Sequence, residues 1–145
     1  MAGDRRLQLI AVAALAGLAI SGYLTLTHYQ AVPLACPSGG VVDCGLVTNS
    51  RYGVIPGTAL PTSLLGIAFF TVGLALAALR RFALLTAWCA GGLLVVLYLV
   101  YLELAVLRHL CEWCTAAHAL TLAMLLLAIS RLQSAALERR RAGLA

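Results

Sequence analysis

The side chains best able to do chemistry are five cysteines, Cys36, Cys44, Cys89, Cys111 and Cys114. Cys111-Glu112-Trp113-Cys114 is a C-x-x-C motif opening an apolar run that reads as a helix. A helix start offers unpaired N–H groups and a partial positive charge that stabilise a thiolate. The spacing brings both sulfurs to one side of the first turn, close enough for a reversible disulfide. The second pair brackets CPSGGVVDC, whose Gly39 and Gly40 give the mobility that thiol–disulfide exchange between pairs requires. Zinc is the sharpest competing chemistry, because two cysteine pairs can build a four-thiolate site. Against it, seven residues separate Cys36 from Cys44, more than the roughly two to four of a zinc-knuckle pair, so no metal is expected. Haem attachment through C-x-x-C-H fails because Thr115 occupies the histidine position. A bis-histidine haem stays open as an alternative, since His28, His109 and His118 all fall in one half of the predicted bundle.

The elements that must hold these residues are written in the hydropathy. Hydrophobic residues make up 63% of the 145 and charged residues 10%, with a mean hydropathy of +1.00, more apolar surface than a water-soluble domain of this size buries. A bilayer core needs about 20 apolar residues per helix, and segments of that kind fall at 7–27, 60–79, 82–107 and 111–129. The expectation is an all-α membrane protein, a four-transmembrane-helix bundle forming a single domain over 1–145. Residues 30–59 form its one long loop, rich in glycine and carrying Pro33, Pro37 and Pro56, irregular but with room for a short helix.

The net charge of +5 comes with basic residues that are all arginine. Arg5 and Arg6 precede the first segment, Arg80 and Arg81 separate the second from the third, and Arg131, Arg139, Arg140 and Arg141 follow the fourth. Only Arg51 and Arg108 fall on the other side, so the charge reads as topology rather than nucleic-acid binding. By the positive-inside rule both termini are cytoplasmic, and the two cysteine pairs lie on the outer face, where disulfides persist. Ala19-Ile20-Ser21 resembles a signal-peptide cleavage site, but the apolar run continues through Leu26, as a full span would.

Inside the spans, Cys89 reads as a small apolar packing residue. His118 lies one turn beyond Cys114 on the same helix face, placed to give a hydrogen bond or proton to a ligand there, with helix packing as the plainer reading. Glu103 has three readings: proton relay, snorkelling to the surface, or an ion pair with Arg108. Gly17, Gly22, Gly66, Gly73, Gly91 and Gly92 suit close helix contact. Tyr29, Tyr98, Tyr101 and Trp113 read as an interfacial aromatic belt.

Taken jointly, CPSGGVVDC, Ser50 in TNSRYG, and C-E-W-C at the outer end of the last helix resemble the vitamin K epoxide reductase family, in a bacterial form without a fused thioredoxin-like domain. The resemblance runs from the first helix to the fourth. It implies a thiol:quinone oxidoreductase in the bacterial plasma membrane that supports disulfide formation outside the cytoplasm. Its cofactor would be a quinone of menaquinone, ubiquinone or vitamin K type, and its partner a separate thioredoxin-fold protein. Cys36 and Cys44 match the family's loop shuttle, Cys111 the cysteine that exchanges with it, Cys114 the one facing the quinone, and Ser50 a loop serine near the site. His118 stands where animal members carry tyrosine, so warfarin-type inhibition does not follow from the resemblance. The helix-two residue that hydrogen-bonds quinone in animal members has only Thr62 and Ser63 as nearest counterparts. A non-catalytic scaffold with structural outer disulfides is the alternative from another functional class.

Overall fold

A computed structural model describes residues 2–36 and 39–143; Pro37 and Ser38, within the predicted loop, lie outside the described residues. Helix α1 spans Ala2–Gln30, α2 Cys44–Thr48, α3 Ser63–Ala78, α4 Phe82–Tyr101 and α5 Glu112–Gly143. The last turns of α4 widen into a π-helix over Leu102–Leu107. No strand forms among the described residues, only isolated bridges.

Residues 5–30, 82–107 and 112–143 are helical, long and apolar enough to cross a membrane. The predicted span 60–79 is shorter than expected. Thr62 donates its N–H to Gly53 O (2.9 Å) and Ile55 donates to Leu60 O (2.8 Å), so residues 60–62 are tied into the loop and the helix begins only at Ser63. Its 16 residues cover about 24 Å, less than a hydrocarbon core of about 30 Å. Conversely, the fourth segment was expected to stop at 129, yet α5 continues to Gly143. The sequence after 129 is rich in Arg, Ala and Leu, good helix formers with no proline or internal glycine to end the helix.

Helix α1 packs on α3 and α5, and α4 packs on α5, while α3 and α4 touch less extensively. The core where they meet is small-grained: Ile10, Ala13 and Ala14 from α1, Phe70 from α3, Leu85 and Cys89 from α4, Met124 and Ala128 from α5. Close approach is built in at Gly17, where a side chain would collide with the Phe70 ring. Gly66, Gly73 and Gly92 similarly face Ser21, Met124 and Phe69. Gly22 and Gly91 do not serve this purpose, since both open onto free space. Val12, Leu94, Leu97 and Leu126 point outward and exposed, an apolar exterior suited to lipid.

The two ends of the bundle differ in chemistry. At one, Arg6 Nη1 donates to Ser130 O (3.0 Å) and Ser134 Oγ (2.9 Å), and the Arg131 guanidinium lies 4.9 Å above the Phe82 ring. These contacts bring the start of α1, the start of α4 and the later part of α5 to a common level. The cysteine-bearing loop closes the opposite end.

Candidate functional site

Helix α1 ends where Ala31 turns into the left-handed region (φ 50°) and sends the chain back across the bundle. Two aromatic residues then hold it. Tyr23 Oη accepts the Ala35 N–H at 2.9 Å, Trp113 Nε1 donates to Ala35 O at 2.9 Å, and the two rings meet at 5.1 Å between centroids. Trp113 is thus a tether between α5 and the loop rather than only a belt residue, because its indole N–H is spent on the loop backbone.

Beyond this clamp the loop is laced to the entrance of α5. Leu110 donates its N–H to Val41 O at 2.8 Å, and Asp43 donates to Leu110 O at 3.1 Å. Asp43 also caps α2, its Oδ1 accepting the Leu46 N–H at 2.8 Å. Cys44 begins that short helix and is therefore carried against the residue following Leu110, which is Cys111. Cys44 and Cys111 are both buried, in one cluster with Val47 against which Cys36 and Cys114 also pack.

Both pairs are closed as disulfides, Cys36–Cys44 with Cα atoms 6.1 Å apart and Cys111–Cys114 with Cα atoms 5.1 Å apart. Cys111 stands at the N-cap of α5, where its Sγ accepts the Cys114 N–H at 3.2 Å and its carbonyl accepts the Thr115 N–H at 2.9 Å. Such an N–H favours negative charge on that sulfur once the disulfide opens. Among the described residues, no three His, Cys, Asp or Glu side chains converge as metal ligands. Cys89 lies apart, buried in the helix core.

Beneath the cysteine cluster is a cavity of about 500 Å³ walled by α1, α3, α4 and α5 and lined mostly by apolar side chains. It falls within the roughly 300–1,000 Å³ typical of organic ligand sites. Of the four disulfide cysteines only Cys114 lines it, followed along α5 by Ala117, His118 and Thr121. Thr62 and Ser63 also line it, but the Thr62 hydroxyl donates to Gly53 O (3.2 Å) and the Ser63 hydroxyl is paired with Thr25 Oγ1 (2.8 Å). A second, more polar cavity of about 380 Å³ lies on the loop side and is lined by Cys36 and Cys44. Leu24, His28 and Thr48 border both.

Ser50 stands apart from these linings. Its hydroxyl donates to Val47 O (2.8 Å) and accepts the Tyr52 N–H (3.2 Å), which closes the turn after α2 and helps set Tyr52 against the large cavity. Thr48, Tyr52 and, in this role, His28 are among the lining residues that the sequence did not mark. The position of His28 three residues before Ala31 gave no signal, since only the fold of the loop over it makes a wall there.

Glu103 is neither snorkelling nor turned to Arg108. It is only 4% exposed, lines the large cavity, and its Oε2 accepts the Cys111 N–H at 3.3 Å. The side chain, carried on the π-helix, turns inward and meets the Cys111 backbone donor there. Compared with known protein families, residues 8–129 match the model of the vitamin K epoxide reductase family.

Proposed function

The chain belongs to the vitamin K epoxide reductase family, and from that premise we propose that it is a membrane thiol–disulfide:quinone oxidoreductase passing electrons from the Cys36/Cys44 pair to the Cys111/Cys114 pair. One observation carries the reading: the two disulfides share a buried cluster, and Cys114 alone of the four also faces the apolar cavity. A relay needs each pair within reach of the next, and its last sulfur beside the acceptor.

In this reading a dithiol of a thioredoxin-fold partner enters at the polar cavity and attacks the Cys36–Cys44 disulfide, leaving as a disulfide itself. The loop pair, now a dithiol, attacks Cys111 and releases Cys114 as a thiolate. The mixed disulfide resolves when the second loop cysteine displaces Cys111, restoring Cys36–Cys44 and leaving Cys111 and Cys114 reduced. Quinone, when bound in the large cavity, accepts two electrons and two protons and departs as quinol. Cys111–Cys114 closes again in that step, which completes the electron balance. His118, one turn from Cys114 on the cavity face, supplies a hydrogen bond or a proton at a carbonyl oxygen. Ser50 supports the site through the turn that carries Tyr52.

The arginine distribution favours the cysteine end outside the cytoplasm, with both termini inside. Helix α3 leads from the loop at Gly53 toward Arg80 and Arg81, and we read it as the fourth span, its short helix completed by flanking residues. The bundle and loop then act as one domain, of the kind found in bacterial plasma membranes. The test is purified protein in detergent, given a reduced thioredoxin-fold protein and a soluble-tail quinone, with quinone absorbance followed over time. Bleaching matched by one partner disulfide per quinone supports the reading; thiols that stay reduced while quinone is unchanged would refute it.

A further inference from the structure

A capping box closes many helix starts reciprocally: the N-cap side chain accepts the N–H of the third helical residue, whose own Glu or Gln reaches back to the N-cap N–H. Helix α5 has the first half of that motif in sulfur. Cys111 Sγ accepts the Cys114 N–H at 3.2 Å. The second half cannot come from the same place, because the third helical residue is Cys114, whose side chain is committed to the disulfide.

Glu103 supplies it from eight residues upstream. Its Oε2 accepts the Cys111 N–H at 3.3 Å, while its own backbone carbonyl accepts the N–H groups of Arg108 and, at 3.1 Å, of His109. Arg108 makes this possible by adopting the left-handed conformation (φ 56°) that folds the chain back over the π-helix. One residue therefore closes the end of one helix with its carbonyl and the start of the next with its carboxyl.

We infer that Glu103 is a positioning residue for the Cys111/Cys114 pair, completing a capping box split between two helices and so fixing the Cys111 sulfur on the Cys114 N–H. The role rests on the reading of Cys111/Cys114 as the working disulfide. An N–H left buried without an acceptor is costly. Removing the carboxyl oxygen therefore frees Cys111 to turn away, and its sulfur loses the donor that favours the thiolate. What matters is an oxygen that accepts, not a charge.

Glu103→Gln keeps the acceptor without the charge, and Glu103→Leu removes both at similar volume. Full-length protein reduced with dithiothreitol is treated with iodoacetamide at one fixed pH, and the alkylation rate at Cys111 is read from its peptide by mass spectrometry. The Gln variant is expected at the wild-type rate and the Leu variant about tenfold slower, a lost hydrogen bond to a buried donor. Equal rates in Leu and wild type overturn the assignment. So does a Gln rate as slow as that of Leu, which would make charge the operative property. Should the Leu variant not fold, Gln decides by itself: a wild-type rate supports the role and a tenfold loss overturns it. No quinone enters this measurement, so failure of quinone reduction with the alkylation pattern intact would sink the proposed function and leave this inference standing.

Discussion

Cys114 differs from its three partner cysteines in one respect, its exposure to the large apolar cavity, and that difference assigns the four sulfurs unequal tasks. Loss of the quinone-side sulfur should be fatal with any donor, so Cys114→Ala is expected to abolish quinone reduction entirely. Cys36→Ala and Cys44→Ala should abolish oxidation of a protein donor yet retain part of the rate with dithiothreitol, which is small enough to reach Cys111 without a shuttle. Cys89→Ala should change little, because Cys89 is packed in the helix core and lines neither cavity. Quinone reduction by this series, with each donor in turn, checks the division. Loop variants that keep the full rate with a protein donor would reduce Cys36–Cys44 to a structural staple.

At the level of elements, the loop is held over the bundle by few bonds, and most of them converge on the entrance of α5. Val41, Asp43 and Leu110 exchange backbone hydrogen bonds, and Trp113 and Tyr23 grip the two sides of Ala35. The backbone bonds survive any substitution but proline, so the side-chain clamp is the part that mutation can reach. Trp113→Phe keeps most of the ring but loses the donor to Ala35 O, a loss of about 1 kcal/mol of loop closure. The expected result is a several-fold slower transfer from a protein donor, with the dithiothreitol rate nearly unchanged, measured as quinone bleaching under both donors. A matching fall in both rates would instead mean that Trp113 acts on the C-x-x-C pair itself. Gly53 constrains the other end of the loop: any side chain there would strike the Thr48 carbonyl at the end of α2, so the tight turn after α2 depends on glycine.

For the molecule as a whole, the separation of arginine end from cysteine end makes a statement about sidedness. Arg6 and Arg131 are engaged at the same end of the bundle, and the disulfide cluster caps the other. In cells treated with a membrane-permeant reductant, a membrane-impermeant maleimide should label Cys36, the half-buried member of the loop pair, without lysis. Cys89 should remain unlabelled before and after lysis in mild detergent, since it is fully buried. Loop labelling that appears only after lysis would invert the orientation.

Hydropathy and charge are properties of the chain in order, so the sequence by itself determined an all-helical, membrane-capable protein and the grouping of its arginines. It also marked the two cysteine pairs by their spacing. For the segment 82–107 even the limits were legible, because arginines or polar turns flank it on both sides. What it could not carry was anything that depends on two distant backbones meeting. The bonds between Val41, Asp43 and Leu110 that bring Cys44 to Cys111 are of that kind, as are the loop tether at Trp113 and the wall made by His28, Thr48 and Tyr52. The inward turn of Glu103 is the clearest case. A π-helix differs from an α-helix only in hydrogen-bond register, which no residue type announces, and a carboxyl one turn from the end of a span looks equally fit for water, for Arg108 or for Cys111. Tertiary structure chose Cys111, because once the left-handed Arg108 folds the chain back, the Cys111 N–H is the buried donor that needs an acceptor.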